Sequence, residues 1–137
     1  MALLLAGITV WFVVHLFPAV APASRENMIF KLGENAYKGL FSLLILAAVL
    51  MIVFGWKSSV PTGLYVPPVA PGLLPAVMVF VALVLFFSSR FDTNARRYLR
   101  HPQMVGTLLW AAAHLLTNGD SRSVALFGGL ATWALLE

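Results

Sequence analysis

Apolar residues fall in long, nearly unbroken runs along this chain, without the alternation of a half-buried strand or the narrow stripe of a surface helix. The first run, Ala2 to Val20, contains a single ionisable residue, His15. A helix that crosses a hydrocarbon core needs about 20 mostly apolar residues, and this run supplies them. Leu40 to Phe54, flanked by Gly39 and Gly55, and Leu73 to Phe87 are each just long enough to do the same. Pro102 suits a first helical position, where its missing N–H costs nothing, and the apolar run behind it lasts to Leu116 and closes on the C-cap pair Asn118-Gly119. Ser121 or Ser123 is placed to cap a fifth helix, Val124 to Leu136. The pattern therefore predicts an all-α, polytopic membrane helix bundle in one domain, with helices over 2–20, 39–56, 72–88, 102–117 and 123–136. The fifth is short, which leaves room for a continuation beyond Glu137. Ala21-Pro22-Ala23 imitates a signal-peptidase site, but no Lys or Arg precedes the first run, so it reads as an uncleaved span.

Composition agrees with a lipid solvent. Of 137 residues, 61% are hydrophobic and 10% charged, against roughly 25% charged in soluble chains. The absence of cysteine excludes disulfide scaffolds, thiolate metal sites and covalently tethered haem. A net charge of +4 without any basic run interleaved with aromatics gives no sign of nucleic acid as a partner. Seven Lys and Arg (Arg25, Lys31, Lys38, Arg90, Arg96, Arg97, Arg100) lie in the first and third connections, and two (Lys57, Arg122) in the second and fourth. The positive-inside bias then puts the N-terminus outside and connections one and three in the cytoplasm. Connection two, with Pro61, Pro67, Pro68 and Pro71, reads as a stiff external segment, and Trp56 and Tyr65 fall at interfacial positions.

Ionisable residues inside a membrane are costly and mark a functional site by default. Helix one carries Gly7, Trp11 and His15, and helix four carries Gly106, Trp110 and His114, both in the pattern G-x-x-x-W-x-x-x-H-L. At i, i+4 and i+8 the three residues share one stripe, so each helix presents a bare glycine patch, an indole and an imidazole that together would clasp a flat ring. Two imidazoles with no cysteine and no intramembrane carboxylate suit a b-type haem with two axial histidines better than zinc or non-haem iron. The competing reading is plain packing, with each His a polar helix–helix contact worth about 0.6 kcal/mol in a subunit or assembly factor of a larger membrane complex.

The third histidine lies in Arg96-Arg97-Tyr98-Leu99-Arg100-His101-Pro102, a cationic stretch ahead of helix four. Arg100 is a candidate for a haem propionate, and His101 for a secondary or switching role. Helical rise puts His15 roughly 7 Å from a boundary near Val20 and His114 roughly 18 Å from one near Pro102, a mismatch that keeps His101 as a rival partner for His15.

The segment Arg100-His101-Pro102-Gln103-Met104-Val105-Gly106, with Trp110, Ala113 and His114 following, resembles the NnrU family of integral membrane proteins and the carotene isomerases related to it. Gly33-Glu34-x-Ala36-Tyr37-Lys38-x-Leu40-Phe41 and His15 add weaker matches. The resemblance implies a bacterial inner-membrane protein, a haem b held by His15 and His114, and, through the family name, a link to nitrite and nitric oxide reduction. With both axial positions filled, a redox or ligand-gated role follows more naturally than direct substrate binding. Polyene cis-trans isomerisation is a third reading, since the chain is shorter than those isomerases. A fainter likeness to isoprenylcysteine-type methyltransferases lacks their acidic C-terminal cofactor motif.

Overall fold

The computed structural model describes residues 1–91 and 99–137, so Arg96 and Arg97 lie outside the described residues. Among the described residues the fold is all-α, with one isolated bridge between Gly63 and Asp120 as its only extended pairing. The chain divides into two units, Met1–Val60 and Pro61–Glu137.

The first unit holds α1 (Ala2–Val20), α2 (Pro22–Leu32) and α3 (Glu34–Ser58), separated only by Ala21 and Gly33. Helix α2 corrects the expectation of a plain connection. Its sequence interleaves Arg25, Glu26 and Lys31 with Met28, Ile29 and Phe30, so it offers no apolar run to detect, yet it has Pro22 in its first turn and Lys31 in its last, both favourable ends. Gly33 has φ 83°, a left-handed backbone that separates α2 from α3 without the steric penalty a side chain would bring. Helix α3 starts five residues before the predicted 39, and polar Glu34 and Lys38 make an i,i+4 ion pair of 2.7 Å across its first turn. Both side chains are two-thirds exposed, so the pair contributes little stability.

Helices α1 and α3 meet at two glycines. A Cβ on Gly7 would lie 2.8 Å from the Ile52 backbone nitrogen, and one on Gly55 would collide with the backbone of Leu4. Leu4 thus meets Gly55 while Gly7 meets Ile52, an antiparallel register, and the fully buried Ala48 continues the small-residue seam. Both helices are long and apolar enough to cross a membrane. Leu43, Leu46 and Phe54 stand exposed on α3, a surface compatible with a lipid bilayer.

In the second unit α4 (Leu73–Ser88) packs against α5 (Pro102–Thr117). A Cβ on Gly106 would lie 2.7 Å from the Ala82 carbonyl oxygen and 3.0 Å from the Phe86 nitrogen. The Ser89 hydroxyl also donates to Gln103 Oε1 at 3.4 Å, so these helices too run antiparallel. Helix α4 is apolar but, with 16 residues, shorter than a full span. After α5 come α6 (Ser121–Ser123), a π-helical turn (Val124–Gly128) and α7 (Gly129–Leu136), with right-handed helical backbone at each junction.

The proline-rich connection is tied down by the turn after α5. The N–H groups of Leu64 and Tyr65 donate to the Gly119 carbonyl, Val69 N–H donates to Leu116, and Ser121 N–H donates to Thr62. The Tyr65 hydroxyl reaches the carbonyls of Leu115 and Asn118. The cap of the last helical stretch is Asp120, a correction to the expected Ser121 or Ser123. Its Oδ1 accepts from the N–H groups of Arg122 and Ser123, and its Oδ2 from the Ser123 hydroxyl at 2.6 Å, whereas Ser121 Oγ accepts from Thr62 N–H. Partial burial pushes the Asp120 carboxyl upward, but the hydrogen bonds from Ser123 and Arg122, with the Arg122 charge 3.6 Å away, outweigh it and hold the group below its ordinary range.

Candidate functional site

His15 and His114 occupy equivalent local settings in their separate units. Each sits one helical turn after its tryptophan, His15 Nδ1 lying 3.0 Å from the Trp11 carbonyl oxygen and His114 Nδ1 lying 2.8 Å from that of Trp110. A carbonyl oxygen can only accept, so in both rings Nδ1 carries the proton and the lone pair of the neutral imidazole belongs to Nε2. The indoles back the rings, with centroids 4.3 Å apart for Trp11 and His15 and 4.8 Å for Trp110 and His114. Each imidazole is half-buried, fixed in tautomer and braced against rotation.

Two bracing residues were not anticipated. Phe41 of α3 meets the His15 ring edge-on at 5.8 Å. Phe127 stacks on His114 at 4.2 Å and 20° and packs edge-on against Trp110 at 4.9 Å. Phe127 belongs to the π-helical turn, an irregularity frequent at functional sites because the extra residue re-aims side chains. The apolar run to which Phe127 belongs reads as ordinary helix, and only the neighbouring Gly128-Gly129 marks the place.

The glycines of the two stripes serve another purpose than the ring seat expected of them. Gly7 is covered by Met51 and Ile52 of α3, and Gly106 by Ala82, Leu85 and Phe86 of α4. They let helix backbones approach, so of each stripe only the Trp and the His remain as candidates for holding a flat ring. Arg100 and His101 stand exposed ahead of α5, with His101 outside helical backbone at φ −135° and ψ 73°. Thirteen residues separate His101 from His114, about 20 Å of helical rise, so the helix keeps the two imidazoles at opposite ends.

Among the described residues no group of three or more His, Cys, Asp or Glu side chains could hold a metal ion. A haem brings its own ring nitrogens and would ask the protein only for one or two axial bases and apolar walls. Nε2 of His15 and of His114 would be the candidate bases, and Trp11 and Trp110 the candidate walls.

Apolar antiparallel helix pairs, each carrying one tryptophan-backed imidazole, define an all-α protein with two helices long and apolar enough to cross a membrane and a repeated tryptophan–histidine motif. The chain belongs to the NnrU protein family, whose sequence profile matches residues 3–137. It is also similar to 15-cis-zeta-carotene isomerase, chloroplastic, of Zea mays, at 48% identity over 40 residues. That stretch covers 29% of this chain and 11% of the isomerase, so the match spans about a tenth of that relative's length. No solved structure gives a significant match.

Proposed function

We propose that this NnrU-family protein is a multi-pass protein of the bacterial inner membrane that binds haem b without a covalent tether, with His15 and His114 as its axial ligands. Five spans with the N-terminus in the periplasm complete the reading, supported by the lopsided placement of Lys and Arg. The observation that carries it is the matched tautomer: in two helices far apart in sequence, Nδ1 faces the carbonyl of a tryptophan one turn back, which presents Nε2 as a base. Such a backbone acceptor orients a metal-binding histidine and raises its basicity. Trp11 and Trp110 would wall the rings, whereas Arg100 stands at the end of α5 opposite His114.

Bound haem would supply one-electron chemistry, and the chain's part is to hold the iron's two axial positions. A redox or ligand-gated role, linked through the family to nitrite and nitric oxide reduction, follows from that coordination. The partial likeness to the maize isomerase supports a second reading, in which the site acts on a polyene.

The test is an absorption spectrum of the purified, detergent-solubilised protein. Dithionite should sharpen the alpha and Soret bands, and pyridine extraction should release a free haem b, since there is no cysteine to keep it. A colourless, folded preparation from haem-supplemented cells would overturn the proposal in favour of a structural subunit. Conversion of a cis-polyene by the reduced protein would favour the second reading.

A further inference from the structure

The proline-rich connection that opens the second unit is free of charge: between Lys57 and Arg90 the sequence has no Asp, Glu, Lys, Arg or His. Nor does it stand clear of the helices. Tyr65, Val66 and Pro68 share an open, apolar recess with Ala112, Leu115 and Leu116 on the flank of α5. The Val69 N–H donates to the Leu116 carbonyl and the Tyr65 hydroxyl to that of Leu115. The connection therefore runs beside the last turns of α5. At 1.5 Å of rise per residue, the stretch from Ala112 to Thr117 keeps Val66 and Pro68 within roughly 8 Å of the helix end, on its inner side.

Helix length gives that level a meaning in a membrane. α5 has 16 residues, about 24 Å, against a hydrocarbon core of about 30 Å, so a crossing α5 cannot bring both ends to the head groups. A helix end short of water needs its carbonyls satisfied from within the protein. Here Ala113 accepts from the Thr117 hydroxyl, His114 from the Asn118 N–H and side-chain amide, Leu115 from Tyr65 and Leu116 from Val69. The connection is itself poor in free donors. Pro61, Pro67, Pro68 and Pro71 have no N–H, and those of Thr62, Leu64, Tyr65 and Val69 are donated to Ser121, Gly119 and Leu116. Leu64, Val66 and Leu73 nevertheless stand exposed, Val66 at 90%. Apolar side chains on a chargeless, donor-poor backbone suit lipid, and no charge in the connection rims them as at a protein-docking patch.

We infer that residues 61–72 form a re-entrant strap, which dips into the bilayer at the end of the α4–α5 pair and lies at the boundary between head groups and acyl chains. Val66 touches lipid, and acyl chains fill the recess beside Ala112. This replaces the water-exposed external segment expected from the prolines alone. The inference rests on the proposed reading that α4 and α5 cross the bilayer, and adds to it the depth of the strap and the partner of its exposed face.

The chain has no cysteine, so one introduced cysteine takes a nitroxide spin label at a single place. The experiment compares Val66→Cys with Val81→Cys on α4, Leu46→Cys on α3 and Glu26→Cys on α2, all exposed positions where a label is tolerated. Each labelled full chain is placed in nanodiscs of phosphatidylcholine and phosphatidylglycerol. Power saturation then weighs collisions with oxygen, which concentrates in lipid, against collisions with the water-soluble chelate Ni-EDDA. Labels at 46 and 81 should favour oxygen and the label at 26 nickel. The label at 66 should favour oxygen too, by a smaller ratio than at 81, as its shallower depth requires. A label at 66 that favours nickel as strongly as the one at 26, while 81 favours oxygen, would overturn the strap alone and leave an external loop. Nickel favoured at both 66 and 81 would overturn the crossing of α4 and the strap with it. Loss of both kinds of collision at 66 would show that protein covers this face, and would overturn lipid as its partner.

Discussion

Replacing Gly106 by Ala adds one methyl group where α4 already fills the space. The new Cβ would lie 2.7 Å from the Ala82 carbonyl oxygen and 3.0 Å from the Phe86 nitrogen, both backbone atoms that no side-chain rotation can move. Comfortable contact between carbon atoms begins near ~3.5 Å, so α4 and α5 must part by several tenths of an ångström along their seam. Overpacking of this kind costs about 1–3 kcal/mol, and the better helix propensity of Ala returns about 0.8–1 kcal/mol, leaving a net loss of about 1 kcal/mol or somewhat more. Gly39 supplies the opposite case: it lies within α3 with nothing within 4 Å of an added Cβ, so Gly39→Ala keeps only the propensity gain of about 0.8–1 kcal/mol. Thermal unfolding in detergent, followed by far-ultraviolet circular dichroism, should move the two variants in opposite directions from wild type. If Gly106→Ala is as stable as Gly39→Ala, the close α4–α5 approach is wrong.

Asp120→Ala should cost about 1 kcal/mol by removing a helix cap, whereas Asp120→Asn should keep most of the stability because its side-chain oxygen still accepts. Since the folded carboxyl sits below its ordinary range, its contribution is complete above the unfolded value near ~3.9 and fades as pH falls through the folded one. Acid titration of stability should therefore show that loss in wild type and not in Asp120→Asn. For topology, a reporter fused after Lys57 should read the external side and one fused after Arg100 the cytoplasm; the reverse pair would invert the proposed orientation. Phe127→Leu keeps an apolar side chain but removes the stack on His114, so it should broaden or shift the haem spectrum more than it lowers the melting temperature; an unchanged spectrum would make Phe127 a packing residue only.

Much of this fold is legible because long apolar runs need no partner to be interpreted. α1 has the bounds its run predicts, and Pro102 and Asn118 bracket α5 through their own backbone chemistry. What escapes the pattern depends on neighbours. Helix α2 is held by its ends and by the helices on either side of Ala21 and Gly33, so its mixed composition resembles a loop. Asp120 outcompetes the serines as cap because the proline-rich segment takes Ser121 for itself. The Trp–His spacing was readable, since i,i+4 residues meet on any helix, but the role of Gly7 and Gly106 was not. A glycine in a stripe looks the same whether a cofactor or a second helix lies against it.

The central claim turns on which imidazoles bind iron, and one set of spectra addresses it directly: oxidised and reduced absorption of His15→Ala, His114→Ala and His101→Ala, purified in parallel. Loss of an axial base should lower haem occupancy or convert a six-coordinate low-spin spectrum to a five-coordinate high-spin one in His15→Ala and His114→Ala. His101→Ala should keep the low-spin spectrum and at most shift the reduction potential. A low-spin spectrum that survives His114→Ala and disappears in His101→Ala would move the second ligand to the other end of α5, and wild-type spectra in all three would return both Trp–His stripes to packing.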